Sequence, residues 1–173
     1  LGEYINDSKK PLVLLGNGVR LSNSIDDAKR FIEYHNIPFV VSWGGFDLIE
    51  HSHSLFVGDI GVYGSRGANF AIQNCDLLIV LGSRLDTRQT GGDLKLFSRE
   101  SKKVMVDLDE NEIFKGSSRG LNIDLPFICD LQNFFTYSDS LRSSSFSNEW
   151  FDRIELWKNT KYDNHKNNDS LNA

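Results

Sequence analysis

Much that would assign a function outright is missing from this chain. No apolar run approaches the roughly 20 residues needed to cross a bilayer, so no membrane partner is expected. No basic-plus-apolar leader is visible, which gives no reason to expect export and makes a cytoplasmic location the expectation. Cys75 and Cys129 are the only cysteines, and no Cys-x-x-Cys pair exists, which excludes zinc-ribbon and dithiol redox motifs. Both lie in or beside apolar runs and read as free, buried thiols of a reduced compartment. Positive charge is also short. Lys and Arg total 19 against 24 Asp and Glu, a net −5 that weighs against a general nucleic-acid binder. His51 and His53 sit in a loop with no cysteine near, and read as a solvated pair rather than a metal site. No nucleophile–base arrangement has motif support. The expectation is therefore a binding domain with no catalytic residue and no metal ligand of its own. The only methionine, Met105, lies inside a strand-like run and the first residue is Leu1, so an excised piece of a longer protein is expected.

What is present reads as one α/β domain. With 173 residues, 39% of them hydrophobic, the chain can bury a single sizeable core. Pro11–Leu15 is an apolar strand ending at Gly16-Asn17-Gly18, and a helix follows, capped by Ser22 or Ser24 and carrying Ile25, Ala28, Phe31 and Ile32 at helical spacing. His35 falls at that helix's end, where a positive charge is favoured. Pro38–Ser42 is the second strand, which makes a βαβ unit with a right-handed crossover. Leu55–Val57 reads as a short strand or an apolar anchor. Ser65 caps a helix with Ala68, Ala71 and Ile72 inward, and Leu77–Leu81 is apolar enough to be a central parallel strand. Lys103–Leu108 is another strand. Leu121–Ile128 holds a last one, which Pro126 assigns to an edge, and Asp130 caps a helix to about Leu141. The alternation predicts a doubly wound, mainly parallel, six-stranded Rossmann-like sheet with helices on both faces. The domain spans residues 1–141. Residues 142–173 read as a linker at Ser143–Ser145, a short helix from Asn148 to Trp157 and a disordered tail from Asp163. Trp150, Ile154 and Trp157 face one way on that helix, and are expected to pack on a neighbouring domain.

Three features bear on chemistry. After Leu81 the chain breaks at Gly82 into a loop with Arg84 and Arg88. Ligands of open α/β sheets collect at the carboxyl ends of strands, and two guanidinium forks there suit an anionic or planar partner. Loop arginines also serve simply to tie loops together. Gly16-Asn17-Gly18 has the form of a phosphate-binding turn without the third glycine of the dinucleotide fingerprint, and equally of a plain tight turn. Asp107 and Asp109 at a strand end suit a ribose hydroxyl, or a helix cap.

The run from Val57 to Gly91 resembles the central domain of thiamine-diphosphate-dependent enzymes of the acetolactate synthase (acetohydroxyacid synthase) type. Val106-Asp107-Leu108-Asp109-Glu110-Asn111-Glu112-Ile113 is similar to the following strand-and-turn motif, and Cys129-Asp130 to the closing Gly-Asp. The resemblance extends from Pro11 to Leu141. It implies a parent that decarboxylates a 2-keto acid such as pyruvate and passes the two-carbon unit to an acceptor carbonyl. Thiamine diphosphate and Mg²⁺ would be held by flanking domains, in a homodimer or homotetramer. The fragment alone would be inert. FAD would sit in the central domain of the acetolactate synthases, with a largely structural role, while related decarboxylases bind none there. Carried over, the cofactor-facing positions are Gly16, Gly18, Trp43, Gly44, Gly61, Gly64, Gly82, Arg84, Asp86, Arg88, Asp107 and Leu108. Arg88 would also reach the acceptor acid. The family's Arg-Phe-Asp-Asp-Arg-Val-Thr-Gly is here Arg84-Leu85-Asp86-Thr87-Arg88-Gln89-Thr90-Gly91, and its Met-His is Val62-Tyr63. Gly16-Asn17-Gly18-Val19-Arg20 and Arg66–Gln73 look closer to relatives from surface-polysaccharide gene clusters, where the acceptor is a keto-sugar. A flavin-free structural domain and a stand-alone nicotinamide-binding domain are the alternatives.

Overall fold

The computed structural model describes residues 1–142 and 146–160. Six strands form the sheet: β1 (Pro11–Leu15), β2 (Phe39–Val41), β3 (Phe56–Asp59), β4 (Leu77–Leu81), β5 (Lys102–Asp107) and β6 (Leu125–Ile128). Their order is β3-β2-β1-β4-β5-β6 and every pairing is parallel. The helices are α1 (Gly2–Asp7), α2 (Gly18–Leu21), α3 (Ile25–His35), α4 (Arg66–Asn74), α5 (Thr87–Thr90), α6 (Glu110–Phe114), α7 (Leu131–Ser138) and α8 (Asn148–Asn159).

The apolar runs become central strands because both their faces are covered. All five residues of β1 and of β4 are buried. Alternate residues feed two cores, as the two-residue repeat of a strand requires. Val13, Leu15, Ile79 and Leu81 meet α3 and α7 through Phe31, Ile32, Phe134 and Phe135. Leu12, Leu14, Leu78 and Val80 meet α4 and α8 through Ala68, Ile72, Trp150 and Ile154. Pro126 does lie on an edge strand, where its missing N–H costs no ladder bond. The uncertain Leu55–Val57 segment is the other edge strand, shifted to Phe56–Asp59, with a register break opposite Phe39 and Val40.

Several expectations need correction. The first helix is not continuous from Ser22. A single turn, α2, is followed by Asn23 in the left-handed region (φ 55°), and α3 starts after Ser24, whose side chain makes no cap bond. The tryptophan helix does not stand apart. It lies on α4, with Trp150 only 3% exposed and its indole N–H donating to the Pro11 carbonyl at 2.9 Å. Cys75 is buried, and burial raises its thiol pKa to about 11, but Cys129 is only half-buried. The linker at Ser143–Ser145 and the tail from Asp163 lie outside the described residues.

His35 is the fourth correction. It ends α3 as expected but is buried among aromatic rings, 4.7 Å from the Phe31 ring centroid, and neither ring nitrogen has a hydrogen-bond partner. Burial therefore lowers its pKa below the ordinary 6.5, and the neutral form is the folded one. The unfolded chain gains a proton as pH falls through about 6.5, while the folded chain resists it. Stability is thus lost progressively below that pH. A His35→Leu variant is expected to remove this component, so melting curves of the two proteins should diverge from pH 7.5 to pH 5.5, with the variant the more acid-resistant. Parallel curves would show that His35 titrates freely.

Candidate functional site

The sheet order reverses between β1 and β4, so the connections leaving these strands run in opposite directions and open a crevice at their carboxyl ends. The glycines there let two loops cross in contact. A Cβ on Gly16 would run into the Gly82 carbonyl, and one on Gly18 would lie 2.6 Å from the Gly82 Cα. Gly82 itself has φ +60°. Most N–H groups around the turn are used within the chain: Gly18 donates to the Gly82 carbonyl, Val19 to Gly16 and Arg20 to Asn17, all at 2.9–3.1 Å.

Above the crossing lies a cleft of about 680 Å³. Gly18, Gly44, Gly82, Arg84, Asp86, Asp107 and Leu108 line it, as does Ser42 at the end of β2. Ser42 is 4% exposed, with its side chain on the cleft wall. A second hollow of about 350 Å³ adjoins the first at Gly44, Asp86 and Gln89, and is walled by Trp43, Tyr63 and Arg88. Trp43 and Tyr63 are largely exposed, with ring centroids 6.1 Å apart. Gly61 and Gly64 carry the loop beneath. A Cβ at Gly61 would strike the Arg88 carbonyl, and one at Gly64 the Asp59 carbonyl.

The arginine loop is tightly built. Leu85 is buried in the left-handed region at φ 49°, Asp86 caps α5 through the Arg88 N–H, and Ser83 donates to Gln89 at 2.8 Å. The two arginines differ. Arg84 pairs with Glu112 on α6 at 2.8 Å, and that hydrogen bond raises the guanidinium pKa and lowers that of the carboxyl. Arg88 has no side-chain partner among the described residues and stands in the second hollow. Among the described residues five carboxylates line the first cleft, Asp86, Asp107, Asp109, Glu112 and Asp130, against the single cation Arg84. Four of them have structural work. Asp86, Asp109 and Asp130 cap α5, α6 and α7, and Asp107 accepts from the Asp109 N–H. Cys129 completes the wall, its thiol pKa raised by burial.

Arg84, Asp86 and Asp107 share one cleft, and sequence reasoning had no signal for Ser42, Glu112 and the Ser83–Gln89 bond beside them. The histidine pair contributes nothing to the cleft: His51 bonds the Phe46 carbonyl and His53 meets Glu33 at 3.2 Å.

The family described as "Thiamine pyrophosphate enzyme, central domain" matches residues 1–137. The chain belongs to this family. The thiamine pyrophosphate enzyme central domain recurs in acetolactate synthase large subunits. A probable one from Methanocaldococcus jannaschii is 33% identical over 131 residues, covering 76% of this chain and 21% of that protein. The large subunit of Corynebacterium glutamicum is 31% identical over 158 residues, 88% of this chain and 24% of its own. That of Pyropia yezoensis is 29% identical over 162 residues, with 90% and 27% covered. The chain thus spans between a fifth and about a quarter of the length of these relatives. Among the described residues no helix is long and apolar enough to cross a membrane. No group of three His, Cys, Asp or Glu side chains there could hold a metal ion.

Proposed function

We propose that this domain is the middle of a thiamine-diphosphate-dependent carboligase. The parent decarboxylates a 2-keto acid such as pyruvate and joins the two-carbon unit to an acceptor carbonyl. The observation that supports it most is the two-lobed cleft at the β1–β4 switch point, bordered by Arg84 and Arg88, in a chain whose relatives are named acetolactate synthases. Thiamine diphosphate and Mg²⁺ belong, on this reading, to flanking domains, and the parent assembles as a homodimer or homotetramer.

The cleft fits a flavin dinucleotide in chemistry. Arg84, with its fork of donors, would hold the diphosphate. Asp107, beside exposed Leu108, would accept from ribose hydroxyls. The Trp43–Tyr63 wall would face the ring system, and Ser42 adds a hydroxyl to the lining. When bound, such a group supplies structure here, since the ligation reaction has no net redox change. Arg88, in the second hollow, would orient the acceptor, its guanidinium suiting a carboxylate or the phosphate of a sugar nucleotide. A flavin-free structural role is the second reading, and the excess of carboxylates over cations along the cleft favours it.

Extending the reading frame in both directions and purifying the whole polypeptide tests both readings. The expected result is pyruvate consumption dependent on thiamine diphosphate and Mg²⁺, a flavin absorbance near one per chain, and no turnover by residues 1–173 alone. A colourless active parent would select the second reading. A parent inert towards every 2-keto acid would reject the carboligase itself.

A further inference from the structure

Among the described residues Arg84 is the only cation lining the main cleft, yet it is paired to an acid. By itself that contact would cancel the charge an anionic ligand needs. The second oxygen of Glu112 accepts from Lys115, one helical turn on. The trio Arg84–Glu112–Lys115 therefore keeps one net positive charge, where Arg84 and Glu112 alone would keep none. We propose that Glu112 and Lys115 are positioning residues that hold Arg84 at the cleft while sparing its charge for a diphosphate-bearing ligand. This rests on the reading that the cleft takes such a ligand.

The geometry supports a bracket. The backbone under Arg84 is fixed by Leu85 and the Asp86 cap, but its side chain is 72% exposed, and an unanchored arginine spreads over many rotamers. Glu112 is far less exposed, at 18%, and stands in the first turn of α6 behind the Asp109 cap. It is thus the fixed partner and Arg84 the held one. One of the five guanidinium N–H donors is used at 2.8 Å, which leaves the others to a ligand. Asp86 and Asp107 lie close enough to act on Arg84 electrostatically, so the cleft is already rich in negative charge. An uncompensated Glu112 would add to it. Lys115 lines the hollow behind the loop, formed with Leu85, Ile113 and Arg119, and is not among the residues of the main cleft. It acts on the ligand only through Glu112.

Calorimetric titration of the chain with ADP and with adenosine at low ionic strength tests this, because exposed charges are least screened there. Lys115→Met is expected to weaken ADP by about three- to tenfold, as the loss of one charge near a charge-assisted contact implies, and to leave adenosine unchanged. Lys115→Arg should restore ADP binding, and Lys115→Met should add nothing in an Arg84→Gln background. Equal losses for ADP and adenosine, or additive losses in the double variant, would overturn the bracket. A wild-type chain with no preference for ADP over adenosine would instead defeat the underlying diphosphate reading. The bracket is then judged without ligand, from ¹⁵N relaxation of the Arg84 Nε. An ordered side chain that becomes mobile in Glu112→Ala supports it, and equal mobility in both rejects it.

Discussion

Replacing Gly82 with alanine is expected to lower the melting temperature by roughly 10 °C. Two independent terms contribute. At φ +60° an L side chain is strained, by about 1–2 kcal/mol. The added Cβ would also lie 2.7 Å from the Gly18 Cα and 2.9 Å from both the Gly18 carbonyl carbon and the Val19 nitrogen. Those atoms are backbone, attached to strands paired at five successive positions from Pro11–Leu77 to Leu15–Leu81, so they have no direction in which to yield. Overpacking of that kind adds about 1–3 kcal/mol. In a domain of this size each kcal/mol moves the midpoint by about 2–4 °C. The same methyl would force apart the loops that form the cleft floor, and ligand binding should be lost even well below the midpoint. Circular-dichroism melting decides it: a shift under 3 °C would mean that the crossing is loose.

Trp150→Ala should come close, at about 3–5 kcal/mol, the range for emptying a buried aromatic site. The indole is 3% exposed in the core made by Leu12, Leu14 and Ala68, its ring centroid lies 5.9 Å from that of Trp157, and its N–H donates to the Pro11 carbonyl. Truncation therefore leaves a cavity and removes the hydrogen bond that ties α8 to β1. Beyond the midpoint shift, the variant should expose Trp157 to solvent, which a red shift in fluorescence would report. Unchanged stability would show that α8 is a mere appendage to the domain.

How far the sequence alone reached depends on whether the cause was local. β1, β4 and β5 were legible because a run of branched apolar residues has few alternatives to a covered strand. Ser65 and Asp130 were legible as caps because their partners, the N–H groups of Ala68 and Gln132, lie two or three residues away. The docking of α8 was not. Trp150 and Trp157 announce an apolar face, but nothing in the spacing says that Pro11, 139 residues earlier, is what that face meets. The same holds in the cleft. Arg84 stood out at the end of a strand, whereas Glu112, 28 positions on, looked like one acid of an ordinary first helical turn. His35 was read from its place on a helix, and the burial that reverses its preferred charge comes from α3 and α7 packing together.

The capping acids carry a further implication, for how such a domain can drift. Asp86, Asp109 and Asp130 each start a helix and each also borders the cleft. Exchanging any of them to suit a new ligand would uncap a helix, at about 1 kcal/mol or more. Thr87 and Cys129 carry no such duty, and Gln89 spends its amide only on Ser83 and Asp86. These three are among the positions where the chain departs from the acetolactate synthase pattern, while the acids at 86 and 130 keep to it. New specificity in this fold is thus confined to positions that ligand selection can rewrite without taxing the folding of the sheet.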